Sequence, residues 1–131
     1  MEMVFFSAVE GRLVSEDGTP AAGVRVSRTW QRGGEGERGE DDTTTDAEGR
    51  FSFPEVTRSS FWAGIIPHTP VIGQTMTAHL PDGELRIWLL SKNSYDRNSE
   101  LGGRATKIVC RVDKEPDNAG PVFGTCMIDD A

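Results

Sequence analysis

The sequence predicts an all-β protein, a sandwich of about seven antiparallel or mixed strands with transthyretin-like topology. Three observations carry this. Runs such as Val24–Trp30, Val71–Leu80 and Glu84–Leu90 alternate apolar and polar residues with the period of two that a half-buried strand requires. Clusters of Gly, Pro, Asp, Asn and Ser separate the runs. No stretch repeats its apolar residues at the spacing of an amphipathic helix.

Val4–Val14 reads as a long first strand. Phe6 and Ala8 lie on one side and Phe5, Val9 and Leu13 on the other, so its first half is covered twice or bends between sheets. Ser15 to Pro20 is turn chemistry. Val24–Trp30 follows, with Val24, Val26 and Trp30 inward and Arg25, Ser27 and Thr29 outward. Arg28 falls on the Val24 face and weakens the alternation. Gln31–Asp42 has no apolar residue and four glycines, which predicts a mobile, solvated loop. The turn Asp46-Ala47-Glu48-Gly49 leads into Arg50–Phe53. There Phe51 and Phe53 share a face, and Pro54, with no N–H to donate, ends the strand.

Glu55–Thr69 is an apolar crossover flanked by prolines, expected to pack Phe61, Trp62, Ile65 and Ile66 over one end of the sandwich. The alternative is an exposed aromatic anchor for a partner. In Val71–Leu80, Ile72, Met76, Ala78 and Leu80 face inward and Thr75, Thr77 and His79 outward. Pro81-Asp82-Gly83 turns the chain into Glu84–Leu90, where apolar residues on both faces mark the best candidate for a central strand. Ser91–Ala105 is too rich in Asn, Ser and Gly for more than one helical turn. Lys107–Val112 and Val122–Ile128 complete the set.

The Val9–Val14 strand ending in the Ser15–Pro20 turn with its Gly18, the Pro20-Ala21-Ala22-Gly23 approach to Val24-Arg25-Val26, and the Thr45-Asp46-Ala47-Glu48-Gly49-Arg50-Phe51-Ser52-Phe53 turn together resemble the carboxypeptidase regulatory-like domains. These are small transthyretin-like sandwiches, and the resemblance covers about a third of the chain, from Val9 to Phe53. It implies a fold and says little of function, since one fold hosts many. A second resemblance runs from Tyr95-Asp96-Arg97-Asn98-Ser99-Glu100-Leu101-Gly102-Gly103 through Val109-Cys110-Arg111-Val112 to Gly124-Thr125-Cys126. This pattern is similar to a largely uncharacterised bacterial family often encoded among type VI secretion toxin–immunity genes. It implies an immunity protein that occludes a cognate toxin's active site, or else an adaptor that loads an effector without inhibiting it.

The chain has 131 residues, the size of one domain spanning 1–131, with 36% hydrophobic and 27% charged residues. A net charge of −7 and a pI near 4.8 argue against nucleic acid or anionic membranes as partners and suit a basic protein. No apolar run is long enough to span a membrane, and the acidic start lacks a secretory n-region. A cytoplasmic location is therefore expected, or a periplasmic one had a leader been removed. Cys110 and Cys126 flank a loop-forming segment; a hairpin about Asn118 would set them within disulfide reach, and two reduced, buried thiols are the alternative.

Nothing in the sequence assembles a catalytic site. His68, His79, Tyr95 and the two cysteines are the only candidates, and neither histidine has a Ser or Cys neighbour in a known catalytic pattern. The Tyr-Arg-Gly-Ser tail of transthyretin-like hydrolases is replaced by Met127-Ile128-Asp129-Asp130-Ala131. Gly33-Gly34-Glu35-Gly36 is too acidic to cradle phosphate. The carboxylates of residues 35–42 do not have Ca²⁺-loop spacing, and no Cys or His spacing fits zinc. The expectation is a protein without catalysis, metal or cofactor that binds a protein partner. Its contacts are expected at Glu35, Glu37, Glu40, Asp41 and Asp42, at an anchor formed by Trp62 or Trp88, and at a patch of Tyr95, Asp96 and Glu100.

Overall fold

The computed structural model describes residues 1–34 and 36–130. Among them the chain forms eleven strands and two single 3₁₀ turns. In order these are β1 (Glu2–Phe6), β2 (Val9–Val14), β3 (Arg25–Arg32), β4 (Arg38–Thr44), β5 (Arg50–Phe53), β6 (Val56–Ser59), β7 (Ile72–Leu80), β8 (Gly83–Lys92), β9 (Thr106–Arg111), β10 (Phe123–Gly124) and β11 (Cys126–Ile128). A five-stranded sheet has the order β10-β8-β7-β3-β4, a four-stranded sheet the order β11-β9-β2-β5, and β1 and β6 form a two-stranded ribbon. The all-β sandwich class is as expected, and the strand count is larger.

The first additional strand arises where the expected long strand breaks at Ser7-Ala8. β1 pairs with β6, and β2 enters the four-stranded sheet. The apolar residues on both faces of Val4–Val14 belong mainly to β1, where Met3, Val4, Phe5 and Phe6 are all buried, whereas β2 buries Val9, Gly11 and Leu13 on one face. β2 lies between β5, antiparallel, and β9, parallel, with Val9 opposite Thr106 and Val14 opposite Arg111.

The expected loop at Gln31–Asp42 is mostly strand. β3 continues to Arg32, and β4 returns alongside it with Arg28 opposite Asp41 and Trp30 opposite Gly39. The inward face of β4 contains no large apolar side chain, so hydrophobic periodicity could not reveal it. That face instead carries a glycine covered by the Trp30 ring and a carboxylate that meets a buried guanidinium. Arg28 breaks the alternation of β3 only in charge: it faces inward, wholly buried, between the rings of Phe6, Trp30 and Phe53. Guanidinium stacking on aromatic faces and bidentate pairing make such burial tolerable.

β8 lies inside the five-stranded sheet as expected, between β10 and β7, and β7 occupies the middle. A β-bulge between Met76 and Thr77 puts Ile87 of β8 out of register, since Met76 faces Trp88 and Thr77 faces Arg86. The inward set therefore changes phase within β8. Ile87 and Trp88 are both fully buried, and Leu89, expected inward, is 42% exposed.

One core joins the two large sheets. Val26, Met76, Ala78, Ile87 and Trp88 from one sheet meet Leu13, Phe51, Phe53, Ile108 and Cys110 from the other. Gly11 matters to this packing because the Phe51 ring lies where its Cβ would be, with Cζ only 2.3 Å from that position. β11 pairs with β9 so that Cys126 faces Cys110, and the two cysteines form a disulfide.

Candidate protein-docking surface

After β6 the chain leaves the sandwich and returns at β7. Ser60 pairs with Met1 through both backbone groups, at 2.9 Å each. Its Oγ accepts the Ala63 amide at 3.1 Å, which starts the 3₁₀ turn Trp62–Gly64. The amides of Ile65 and Ile66 then return to the Trp62 carbonyl. Pro67 and Pro70 prevent the turn from growing into a helix. At the far end the Gly33 amide donates to the Val71 carbonyl at 2.8 Å. Between these points His68 contacts the Ile66 carbonyl through Nδ1 and the Tyr95 hydroxyl through Nε2, each at 2.9 Å.

The expected packing of this segment over the sandwich is not what forms. Phe61 is 71% exposed, Trp62 65%, and Ile65 and Ile66 55% each. Phe61 and Trp62 stack edge to face with centroids 5.5 Å apart. A turn of three residues, with prolines on one side and a backbone clasp on the other, is too short to direct these side chains into the core. Clustered exposed aromatic and aliphatic side chains on a fixed backbone characterise interaction surfaces. Ion pairs border the cluster: Arg58 with Glu37, and Arg97 with both Glu55 and Glu2.

The remaining residues expected to bind a partner separate into two groups. Trp62 is exposed, and so are Glu37, Glu40, Asp42 and Asp96. Glu40 and Asp42 project from the outer face of β4, where Asp42 pairs with Arg25 at 3.4 Å. Glu35 lies outside the described residues. Four others are turned inward. Asp41 accepts two bonds from Arg28, at 2.9 and 2.6 Å. Trp88 is fully buried and donates its indole N–H to Gln74 Oε1 at 3.1 Å. Tyr95 is 5% exposed, and its ring lies against Phe5 and His68.

Glu100 is buried at the centre of a polar network. It accepts bonds from the Ser7 amide at 2.9 Å, the Ser7 hydroxyl at 2.7 Å and Gln74 Nε2 at 2.8 Å, with Lys92 Nζ 3.4 Å away. Burial raises its pKa, yet these donors and the cation together outweigh burial and hold it below the ordinary glutamate value. For Lys92, burial is the larger influence and lowers its pKa against the attraction of Glu100. Two residues meant for a partner, Tyr95 and Glu100, are thus internal struts. In sequence they resemble surface polar residues, because the partners that bury them lie far away, at Phe5 and His68 for Tyr95 and at Ser7 and Gln74 for Glu100.

The outer face of the five-stranded sheet carries the other feature that sequence neighbours could not disclose. His79 Nε2 lies 2.8 Å from the Ser27 hydroxyl, contributed by β3, and its Nδ1 lies 3.4 Å from Glu84 Oε1, contributed by β8. Along the same face runs an open groove of about 940 Å³, with Thr29, Thr75 and Leu89 at its near end and Gln31, Gly73 and Ser91 beyond them. Among the described residues no group of three or more His, Cys, Asp or Glu side chains is placed to hold a metal ion. No helix among them is long and apolar enough to cross a membrane.

No curated protein and no solved structure matches the chain. A family profile, described as Domain of unknown function (DUF6795), matches residues 9–115. That span runs from the first residue of β2 past the end of β9, so it takes in the exposed cluster and leaves out Cys126. With most of its length matched, the chain belongs to the DUF6795 family.

Proposed function

We propose that this chain is a protein-binding β-sandwich whose docking element is the Ser60–Val71 excursion, with Phe61, Trp62, Ile65 and Ile66 as anchors. The observation that carries the reading is that these side chains are exposed on a backbone held at Met1, Gly33 and Tyr95. A preorganised apolar surface loses little entropy on binding, so more of its burial appears as affinity. Glu37 adds an acidic group, paired with Arg58, that would attract a basic partner and raise the association rate.

Together with the resemblance to proteins encoded beside type VI secretion toxins, this supports an immunity role in which the apolar cluster enters or covers the cleft of a cognate toxin. The test is co-expression with the toxin encoded next to the gene. Wild type should rescue growth and bind the purified toxin, and Phe61→Ser with Trp62→Ser should lose both while remaining folded. Binding that persists without rescue would replace inhibition by an adaptor role. Full binding by the double variant would remove the excursion from the interface.

A further inference from the structure

Beyond binding, we propose that Ser27, His79 and Glu84 form a serine-nucleophile site that hydrolyses small carboxylic esters. Three adjacent strands bring the groups together. Ser27 and His79 project outward from β3 and β7 on the same face, one pair apart in register. Glu84 of β8 stands directly opposite His79. Glu84 Oε1 lies 3.4 Å from Nδ1, and the tautomer with its proton on that nitrogen leaves a bare Nε2 facing the Ser27 hydroxyl at 2.8 Å. That tautomer is the one a general base requires.

Charged side chains surround the serine on nearby strands. Arg86, opposite Thr77, donates from Nε to the Thr77 hydroxyl at 3.1 Å, and Thr77 is the residue directly opposite Ser27. Asp42 lies opposite Ser27 on β4 and is paired with Arg25. The next row along the sheet is Thr29, Thr75 and the half-exposed Leu89, where the groove begins. An acyl chain of a few carbons would lie there, over Leu89. The exposed cluster lies beyond the other end of β7, about seven residues or roughly 23 Å away at strand rise, so this site is independent of the docking surface.

In the reaction, Ser27 Oγ passes its proton to His79 Nε2 as the oxygen bonds to the ester carbonyl carbon. Collapse breaks the bond to the alkoxide, which takes the proton from His79, leaving acyl-Ser27 and an alcohol. Water then attacks the acyl carbon, giving its proton to His79, which returns it to Ser27 Oγ as the carboxylic acid departs. One ester and one water become one acid and one alcohol. Glu84 is a positioning residue that sets the tautomer.

The test treats the full chain with a fluorophosphonate probe and with 4-nitrophenyl butyrate. The expected result is an adduct on the peptide containing Ser27 and a hydrolysis rate about 100-fold above that of Ser27→Ala or His79→Ala. Glu84→Gln should lower kcat with KM unchanged, and Glu84→Asp should recover it. Near-UV circular dichroism establishes that each variant is folded, and the wild-type adduct needs no variant at all. An unlabelled wild type, an adduct elsewhere, or wild-type hydrolysis by folded Ser27→Ala would overturn the proposal.

Discussion

Arg28 and Asp41 face one another across β3 and β4, with Nη2 of the wholly buried guanidinium 2.6 Å from Oδ2 of a carboxylate that keeps a third of its surface in water. The pair is therefore asymmetric: one member can be hydrated when alone, and the other cannot. Arg28 also donates to the Pro54 carbonyl at 2.8 Å, which ties the end of β5 to the opposite sheet.

Asp41→Ala leaves a buried cation without its counter-ion and should lower stability by about 3 kcal/mol. Arg28→Met leaves a carboxylate that water can reach and keeps contact with Phe6 and Phe53, so about 1 kcal/mol is expected. Urea unfolding of the two variants measures the difference. Equal losses would show that packing, not charge, decides this site.

The Glu100 network predicts a pH dependence of definite sign. Because the folded carboxyl titrates below the ordinary 4.5, its contribution is complete above that value and is lost as pH falls through the lower folded pKa. Lys92 acts in the opposite region. Its folded pKa lies below the ordinary 10.5, so the unfolded chain binds the extra proton and stability rises with pH up to that value. Glu100→Gln should flatten the acid limb of a stability–pH curve, and Lys92→Met the alkaline limb. An unchanged acid limb in Glu100→Gln would remove Glu100 as its cause.

Reduction of Cys110–Cys126, which are 16 residues apart, should cost about 3 kcal/mol through the freed loop. A thermal midpoint that does not move on adding reductant contradicts this.

Phe61→Ser with Trp62→Ser should leave the free energy of unfolding in urea within about 0.5 kcal/mol of wild type, as expected of side chains that pack on little but each other. A large loss would mean that the exposed cluster supports the fold.

What the sequence disclosed and what it hid follow from the range of the interactions involved. β3, β5 and β7 were legible because their apolar period is local, and the Asp46–Gly49 turn because Asp46 Oδ1 binds the Glu48 and Arg50 amides within four residues. β4 was hidden because its inward face is satisfied by Arg28 and Trp30 on another strand. The phase change in β8 was hidden because a bulge has no compositional mark. Tyr95 and Glu100 looked like surface polar residues because their partners lie elsewhere in the chain. Ser27 and His79, 52 residues apart, meet only through the β3–β7 register.

The parallel pairing of β2 with β9 sets an order of events on the ribosome. Most of the chain must be synthesised before β2 gains its second neighbour, and the Ser7–Glu100 clasp beside it spans 93 residues. Closing contacts of such separation is slow, on the order of milliseconds to seconds. Until then β2 has one edge unpaired, and the nascent protein depends on that edge finding β9 before it finds another chain.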